Sequence, residues 1–211
     1  MLRIKWFGHS MWKITNGVVS VITDPFTDIG YPMPTTETAD IILSSHDHFD
    51  HNNFDLIGGK PEIIKTEGTF SIGGVKIQTF LTYHDETKGS QRGNNLLMKF
   101  KLEEKVFLHC GDIGHMFSDE LIKEIGHIDV LFIPIGSHYT ISAETAKKIT
   151  DKLSPIIVFP MHYKTSVLNF PIKPVEEYLE LIDNHHHINS NQIGLAEDDF
   201  KAQQTITLNY A

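Results

Sequence analysis

Cysteine is almost absent from this chain. Cys110 is the single cysteine among 211 residues, so no intramolecular disulfide can form and a disulfide-stapled secreted scaffold is excluded. No run approaches the roughly 20 apolar residues that a membrane-spanning helix needs. The first ten residues also lack the apolar stretch of a signal peptide. These absences lead us to expect a cytoplasmic protein without a membrane partner.

Basic residues are also scarce, and they do not cluster. The chain has 18 Lys and Arg against 27 Asp and Glu, which gives a formal net charge of -9. Because a protein that binds duplex DNA needs a basic face, a nucleic-acid partner is disfavoured. A nuclease that binds phosphate through metal ions is still compatible with this charge. The hydrophobic fraction of 40%, with 13 Phe, is enough for a core and excludes a disordered chain.

Strands dominate the first half of the sequence and alternate with helices in the second. Apolar β-branched runs such as residues 18–23 predict buried strands. Serines at the starts predict N-capped helices over residues 117–125 and 142–153. A third, amphipathic helix is predicted over residues 174–183, beginning with proline. This order favours an α/β fold in a single domain that covers residues 1–211.

Histidine is abundant, with 13 residues. Four ligand-type side chains fall within six residues, directly after a predicted buried strand: His46, His48, Asp50 and His51. Side chains two positions apart on extended backbone share a face, so His46 and His48 can point into one pocket. Imidazole and carboxylate suit zinc, manganese or iron. The pattern predicts a metal site that needs no thiolate.

More polar candidates stand just past other β-rich runs. A lone histidine is more often a packed or surface residue than a ligand, but chemistry gathers beyond strand ends in α/β sheets. The repeated placement of such residues after predicted strands indicates a shared site. We assign to it Asp24, His84, Asp112 and His162.

These motifs occur in the same order as those of the metallo-β-lactamase superfamily of metal-dependent hydrolases, which the sequence resembles over nearly its whole length. Short strings are similar to the small bacterial branch that includes the UlaG-type lactonase-like proteins. They are Trp6-Phe7-Gly8-His9-Ser10, Gly111-Asp112-Ile113-Gly114, Pro134-Ile135-Gly136 and Pro160-Met161-His162-Tyr163. The resemblance implies a four-layer αββα sandwich. It also implies two divalent metal ions at one edge, with zinc foremost and manganese or iron as alternatives.

The resemblance also implies which residues would bind each metal ion. It implies a first site of three histidines, a second site of an aspartate and two histidines, and a bridging aspartate. These are His46, His48 and His84, then Asp50, His51 and His162, and then Asp112. Asp24 would orient the ligand loop rather than bind metal.

The expected function is hydrolysis of an ester, lactone or phosphodiester in a small-molecule substrate. Two bridged metal ions lower the pKa of a shared water toward ~7, so that hydroxide attacks at neutral pH. We expect Asp50 to hold the hydroxide's proton. His138 follows a predicted strand and is expected to donate a proton to the leaving group or to bind substrate.

The sequence also gives predictions for His9, for Lys164 and for a run of three histidines near the C-terminus. His9 is either a neighbour of the site or a local turn histidine. Lys164 is expected to offer a positive contact to an anionic substrate. The run His185–His187 is expected to be a solvated helix end without a strand to organise it.

Three alternatives to a small-molecule hydrolase stay open to different degrees. The first is a nuclease-type phosphodiesterase. The second is a redox protein of the flavodiiron kind, but that would require a flavodoxin-like domain for which 211 residues leave no room. The third is a regulatory metal-binding protein, which the complete ligand set disfavours. The sequence does not decide whether the protein forms an oligomer.

Overall fold

Two β-sheets form the centre of the computed structural model, which describes residues 1–211. They contain fourteen strands, which in chain order are β1 Leu2–Gly8, β2 Met11–Thr15, β3 Ser20–Thr23, β4 Thr38–Leu43, β5 Gly58–Ile64, β6 Gly68–Ile72, β7 Val75–Tyr83, β8 Asn94–Leu102, β9 Lys105–His109, β10 Val130–Pro134, β11 Ile157–Met161, β12 His185–Ile188, β13 Gln192–Leu195 and β14 Gln204–Leu208. Three α-helices accompany them, α1 Asp119–Ile125, α2 Ala143–Leu153 and α3 Glu176–Leu179.

Both sheets are mixed. The six-stranded sheet has the order β13-β1-β2-β3-β4-β5, in which β3, β4 and β5 are parallel. The eight-stranded sheet has the order β12-β14-β11-β10-β9-β8-β7-β6. In the second sheet β9, β10 and β11 are parallel and are joined through α1 and α2. The alternation predicted for the second half is therefore present, and it brings the carboxyl ends of these strands to one edge.

Trp12 on β2 joins the two sheets. Its ring centroid lies 4.8 Å from that of Phe132 on β10 and 5.2 Å from that of Phe159 on β11. The Trp6 ring stacks on the Trp12 ring, with the centroids 5.6 Å apart. These rings belong to a cluster of 44 buried residues drawn from both sheets. The predicted α/β sandwich is therefore confirmed, with a shared apolar core between its sheets.

The outer faces of the two sheets are covered differently. Side chains alternate along a strand, so Ile22 and Ile42 face away from the common core and enter a second cluster of 11 buried residues. Phe26 and Tyr31, from the loop after β3, pack onto them. On the eight-stranded sheet, α2 packs against β10 and α3.

No helix of the structure is long and apolar enough to cross a membrane.

The first two predicted helices agree with the structure. Ser118 caps α1, its side chain accepting from the backbone N of Leu121 at 3.2 Å. Ser142 caps α2 in the same way, accepting from the backbone N of Thr145 at 3.3 Å. The caps satisfy backbone donors that a helix start leaves free.

Two predictions for the C-terminal quarter were wrong. The helix predicted over residues 174–183 is reduced to the four residues of α3, because the next backbone bonds tighten to a 3-10 pattern. The run His185–His187 is strand β12, parallel to β14. His185 Nε2 and His187 Nδ1 each lie 3.0 Å from Thr207 Oγ1, so a neighbouring strand does organise these histidines.

Candidate metal centre

The ligand loop, residues 44–53, leaves the carboxyl end of β4 with three histidines and an aspartate. His46 Nε2 lies 3.0 Å from His48 Nδ1, so the structure brings these two side chains together. Ser44 Oγ lies 3.2 Å from the carbonyl oxygens of both His46 and His51. This contact ties the two ends of the ligand sequence to each other.

Asp24 lies fully buried behind the ligand loop and holds it in place. Its carboxylate accepts from the backbone N of Ser45 at 2.7 Å and from Ser45 Oγ at 2.8 Å. Its Oδ2 also lies 3.0 Å from His51 Nδ1. A carboxylate on one ring nitrogen fixes the orientation of the imidazole and directs the other nitrogen toward a metal.

Three further strands end at the same edge. His84 follows β7, Asp112 follows β9 and His162 follows β11. Asn95 fixes the segment before Asp112, because its Oδ1 accepts from the backbone N of Asp112 at 2.8 Å and its Nδ2 donates to the Cys110 carbonyl at 2.9 Å. A Cβ at Gly111, where φ is 54°, would lie 2.3 Å from Asn95 Oδ1. Glycine is therefore required there.

Asp112 lies at the centre of the histidines. Its Oδ2 is 3.0 Å from His162 Nε2 and 3.3 Å from the Nε2 atoms of His51 and His84. His46 Nε2 is 4.0 Å away. The other oxygen, Oδ1, is buried without a hydrogen-bond partner. Because an unpaired buried carboxylate oxygen is costly, a cation held between Asp112 and the imidazoles would fit this site.

The donor atoms form three groups, and within each group all donors lie within 4.8 Å of one another. The groups are His46, His48 and His84, then His9, Asp50, His51 and His162, and then His46, His51 and Asp112. The third group overlaps the other two, so one continuous set of nitrogen and oxygen donors could hold neighbouring ions. Such donors fit zinc, manganese or iron.

The local charges favour a cation. Burial alone would raise the pKa of Asp112, but His162 and His51 outweigh it and hold that pKa well below its usual value. Burial alone would lower the pKa of His51, but Asp112, Asp50 and Asp24 raise it well above its usual value. Three carboxylates therefore place negative charge around one buried imidazole. A bound metal ion could balance that charge in place of a proton on the ring.

His9 borders this site. It is fully buried, its Nε2 lies 3.3 Å from Asp50 Oδ2, and its ring centroid is 4.1 Å from that of His162. Of the two interpretations of His9, the structure favours the site neighbour. Because burial and then His162 lower the pKa of His9 to about 4, the ring is neutral at pH 7 and can donate Nε2–H to Asp50.

The structure does not bring His138 to the ligands. Its side chain is exposed, its ring packs edge-on against Tyr139 at 4.4 Å, and it is absent from the lining of the cavity above Asp112. Its role stays a prediction.

Lys164 makes contacts within its own loop, and its expected contact to an anionic substrate stays a prediction. Its Nζ donates to the carbonyl oxygens of Leu168 and Phe170, the latter at 3.0 Å, because the loop after β11 folds back over it. The side chain is therefore used to hold a loop.

Sequence reasoning did not identify the side chains that form the walls of the cavity. A space of about 330 Å³ lies over the ligands and is also lined by Phe49, Gln91, Arg92, Tyr139 and Phe170. None of these residues has a ligand-type side chain or a recognisable motif. Their positions depend on loops that come together only in the folded chain.

The sequence and the fold of this chain are similar to those of known proteins. The family described as the Beta-lactamase superfamily domain matches residues 3–162. A UPF0173 metal-dependent hydrolase from Thermus thermophilus is 30% identical over 193 residues, covering 78% of this chain and 85% of the relative. A UPF0173 metal-dependent hydrolase from Thermoplasma acidophilum is 29% identical over 194 residues, covering 78% of this chain and 84% of the relative.

A solved structure from Thermotoga maritima, named as a candidate zinc-dependent hydrolase of the metallo-β-lactamase superfamily, covers 100% of both chains with a TM-score of 0.86 and 33% identity. The family match spans more than half of the chain, and the sequence and structural relatives agree with it. The chain therefore belongs to the β-lactamase superfamily and, within it, to the UPF0173 metal-dependent hydrolases.

Proposed function

We propose that this metal-dependent hydrolase cleaves an ester, lactone or phosphodiester bond of a small molecule at a centre of two divalent ions, with zinc foremost. The observation that carries the proposal is Asp112, whose Oδ2 lies within 3.3 Å of the Nε2 atoms of His51, His84 and His162. His84 belongs to the donor group that contains His46 and His48, whereas His51 and His162 belong to the group that contains Asp50. Bound ions would supply Lewis acidity, lowering the pKa of a coordinated water toward ~7 and polarising the scissile group.

Asp50 is the proposed proton acceptor. Burial would raise its pKa, but the charge of His51 and the hydrogen bond from His9 outweigh this and hold the pKa below its usual value. The carboxylate is therefore ionised at neutral pH and can accept a proton. His9 acts through Asp50 as a positioning residue, since the 3.3 Å contact fixes the orientation of the carboxylate.

His138 is the proposed proton donor to the leaving group. It stands at the rim, after β10, and is next to Tyr139, which lines the cavity. A leaving group that projects between Tyr139 and the solvent would come close to this imidazole. Imidazole is suited to the role because histidine is the side chain that most often transfers protons in general acid–base catalysis.

The shape of the cavity and the charge of the chain both favour a small substrate. A volume of about 330 Å³ is within the size range of small-molecule sites. The net charge of -9 gives no general attraction to a nucleic-acid backbone. A nuclease-type phosphodiesterase is therefore the second candidate, and we place the whole activity in one domain, residues 1–211.

A hydrolase screen of the purified, metal-loaded protein tests the proposal. The substrates are 4-nitrophenyl esters, lactones, thioesters, bis(4-nitrophenyl) phosphate and single-stranded DNA. Removing one ligand of each kind, as in H46A, D112A and H162A, should lower kcat/KM by roughly 100-fold or more, because metal ions supply several kcal/mol of transition-state stabilisation.

His186, an exposed residue of β12, provides the matched control, since H186Q also removes an imidazole but leaves the candidate centre intact. It should keep wild-type activity. Full turnover in D112A, with folding verified by circular dichroism, would contradict the proposed chemistry.

A further inference from the structure

Arg92 is a cation without a partner at the mouth of the metal centre. Its guanidinium carbon lies 5.4 Å from the centroid of the Tyr139 ring, and no carboxylate forms an ion pair with it. The side chain is half-buried and lines the cavity that contains Asp50, Asp112 and His162. Arginine binds carboxylate and phosphate in a planar, bidentate way while it stacks on an aromatic ring. The guanidinium is therefore available to a ligand.

The loop that carries Arg92 is built around one buried carboxylate. Asp85 accepts from the backbone N atoms of Thr87, Gly89, Gln91 and Arg92, at 2.8, 3.0, 3.0 and 2.8 Å. It also accepts from Thr87 Oγ1 at 2.7 Å. Because Asp85 directly follows the candidate ligand His84, these bonds hold the backbone of Arg92 in a fixed relation to the metal centre.

Aromatic rings form the rest of the mouth. Phe49 is 57% exposed and lines the same cavity as Arg92. Its ring centroid lies 6.4 Å from that of Phe170, which in turn lies 6.1 Å from that of Tyr139. Lys164 holds the loop of Phe170 through the carbonyl oxygen of that residue at 3.0 Å. The cavity thus combines an apolar wall with a single unpaired cation.

We propose that Arg92 determines specificity by binding an anionic group of the substrate, a carboxylate or a phosphate, that is remote from the scissile bond. Phe49 and Phe170 hold the apolar part of the same molecule. The substrate class is therefore an amphipathic anion, and not a neutral ester or lactone. This inference rests on the proposed hydrolase function, because the bound molecule is a substrate only if it is hydrolysed. The binding site itself can be tested without turnover.

The chain offers a matched control, because Arg3 and Arg92 are its only arginines. Arg3 is exposed on β1, where it pairs with Thr15 and Gly194, and it does not line the cavity. R3Q and R92Q therefore make the same change in charge, but only the second lies at the site.

Isothermal titration calorimetry on zinc-loaded protein tests the proposal with three probes that share a phenyl group. They are 4-phenylbutyrate, 3-phenylpropylphosphonate and the uncharged 4-phenylbutyramide. The wild type should bind at least one anion more tightly than the amide, and the tighter anion distinguishes carboxylate from phosphate recognition. R92Q should weaken that anion about 10- to 100-fold, the usual range for a lost charge-assisted hydrogen bond. R92K should keep part of the affinity, and R3Q all of it.

Three outcomes would overturn the assignment: no binding of either anion by the wild type at millimolar concentration, an unchanged ratio of anion to amide affinity in R92Q, or an equal loss in R3Q. A protein that binds the anions through Arg92 but hydrolyses nothing would count against the proposed function alone. The two proposals can therefore fail separately.

Discussion

A few buried side chains determine the electrostatics of the centre, and His9 illustrates how. It has no partner at Nδ1 and a carboxylate at Nε2. A neutral ring in this position can direct Asp50, whereas a charged ring would lie against His162 in a fully buried space. The neutrality of His9 is thus part of how the site is assembled.

This neutrality predicts a pH dependence for the metal-free protein. Since the pKa of His9 falls from 6.5 to about 4 on folding, the unfolded state takes up a proton first as the pH decreases. The free energy of unfolding should therefore decrease between about pH 6.5 and pH 4, by up to ~3 kcal/mol from this group. Urea denaturation of wild type and H9Q in EDTA measures it.

In H9Q this contribution is removed, so its stability should decrease less over the same pH range. H186Q, which alters an exposed histidine, should follow the wild type. Parallel curves for wild type and H9Q would show that His9 is not held neutral by burial.

Strand ends, and the loops that follow them, bring the ligands to one edge. The segment after β10 shows how tightly this edge is packed. A Cβ on Gly136 would lie 2.1 Å from the carbonyl oxygen of His162 and 3.2 Å from Cβ of Ile172. Because that oxygen belongs to backbone, the strain cannot be relieved by a side-chain rotation, and His162 must move.

G136A should therefore weaken metal binding through His162 without altering any ligand. We expect at least a roughly 10-fold loss of zinc affinity in a competition assay with a chelator, in line with disturbed metal-site geometry. G58A, in β5, is the control, since its added Cβ would meet only the Glu37 carbonyl oxygen and Thr38 Cγ2, each at 3.4 Å. Equal zinc affinity in G136A and wild type would contradict the close packing.

The sequence predicts elements well where a local signal exists. The serine caps of α1 and α2 and the apolar runs of β10 and β11 are such signals, and the structure contains all four elements. It fails where tertiary contacts decide, as in β12, whose histidines pair with β14.

The same distinction holds for the site. Ligand-type residues could be proposed from the sequence because several of them directly follow predicted strands. Arg92 could not, since its position depends on the bonds that converge on Asp85. Phe49 and Phe170 come from different loops, and only the folded chain places them 6.4 Å apart.

At the scale of the whole molecule, the two packed sheets together position the polar residues at one edge. The 44-residue core fixes strands from both sheets, and the ligands follow strands of both: β4 from one, and β7, β9 and β11 from the other. A metal ion held by these candidate ligands would cross-link the sheets. Metal binding should thus stabilise the native state, because an ion bound at 100 times its Kd adds ~2.7 kcal/mol.

The metal content of the purified protein, measured by inductively coupled plasma mass spectrometry after dialysis, tests the proposed dinuclear centre most directly. The wild type and H186Q should each bind two ions per chain. H84A removes a ligand of one donor group only and should retain about one ion, whereas D112A, which removes the residue between the groups, should retain fewer than the wild type. One ion or none in the wild type, or two ions in D112A, would contradict a centre of two ions joined through Asp112.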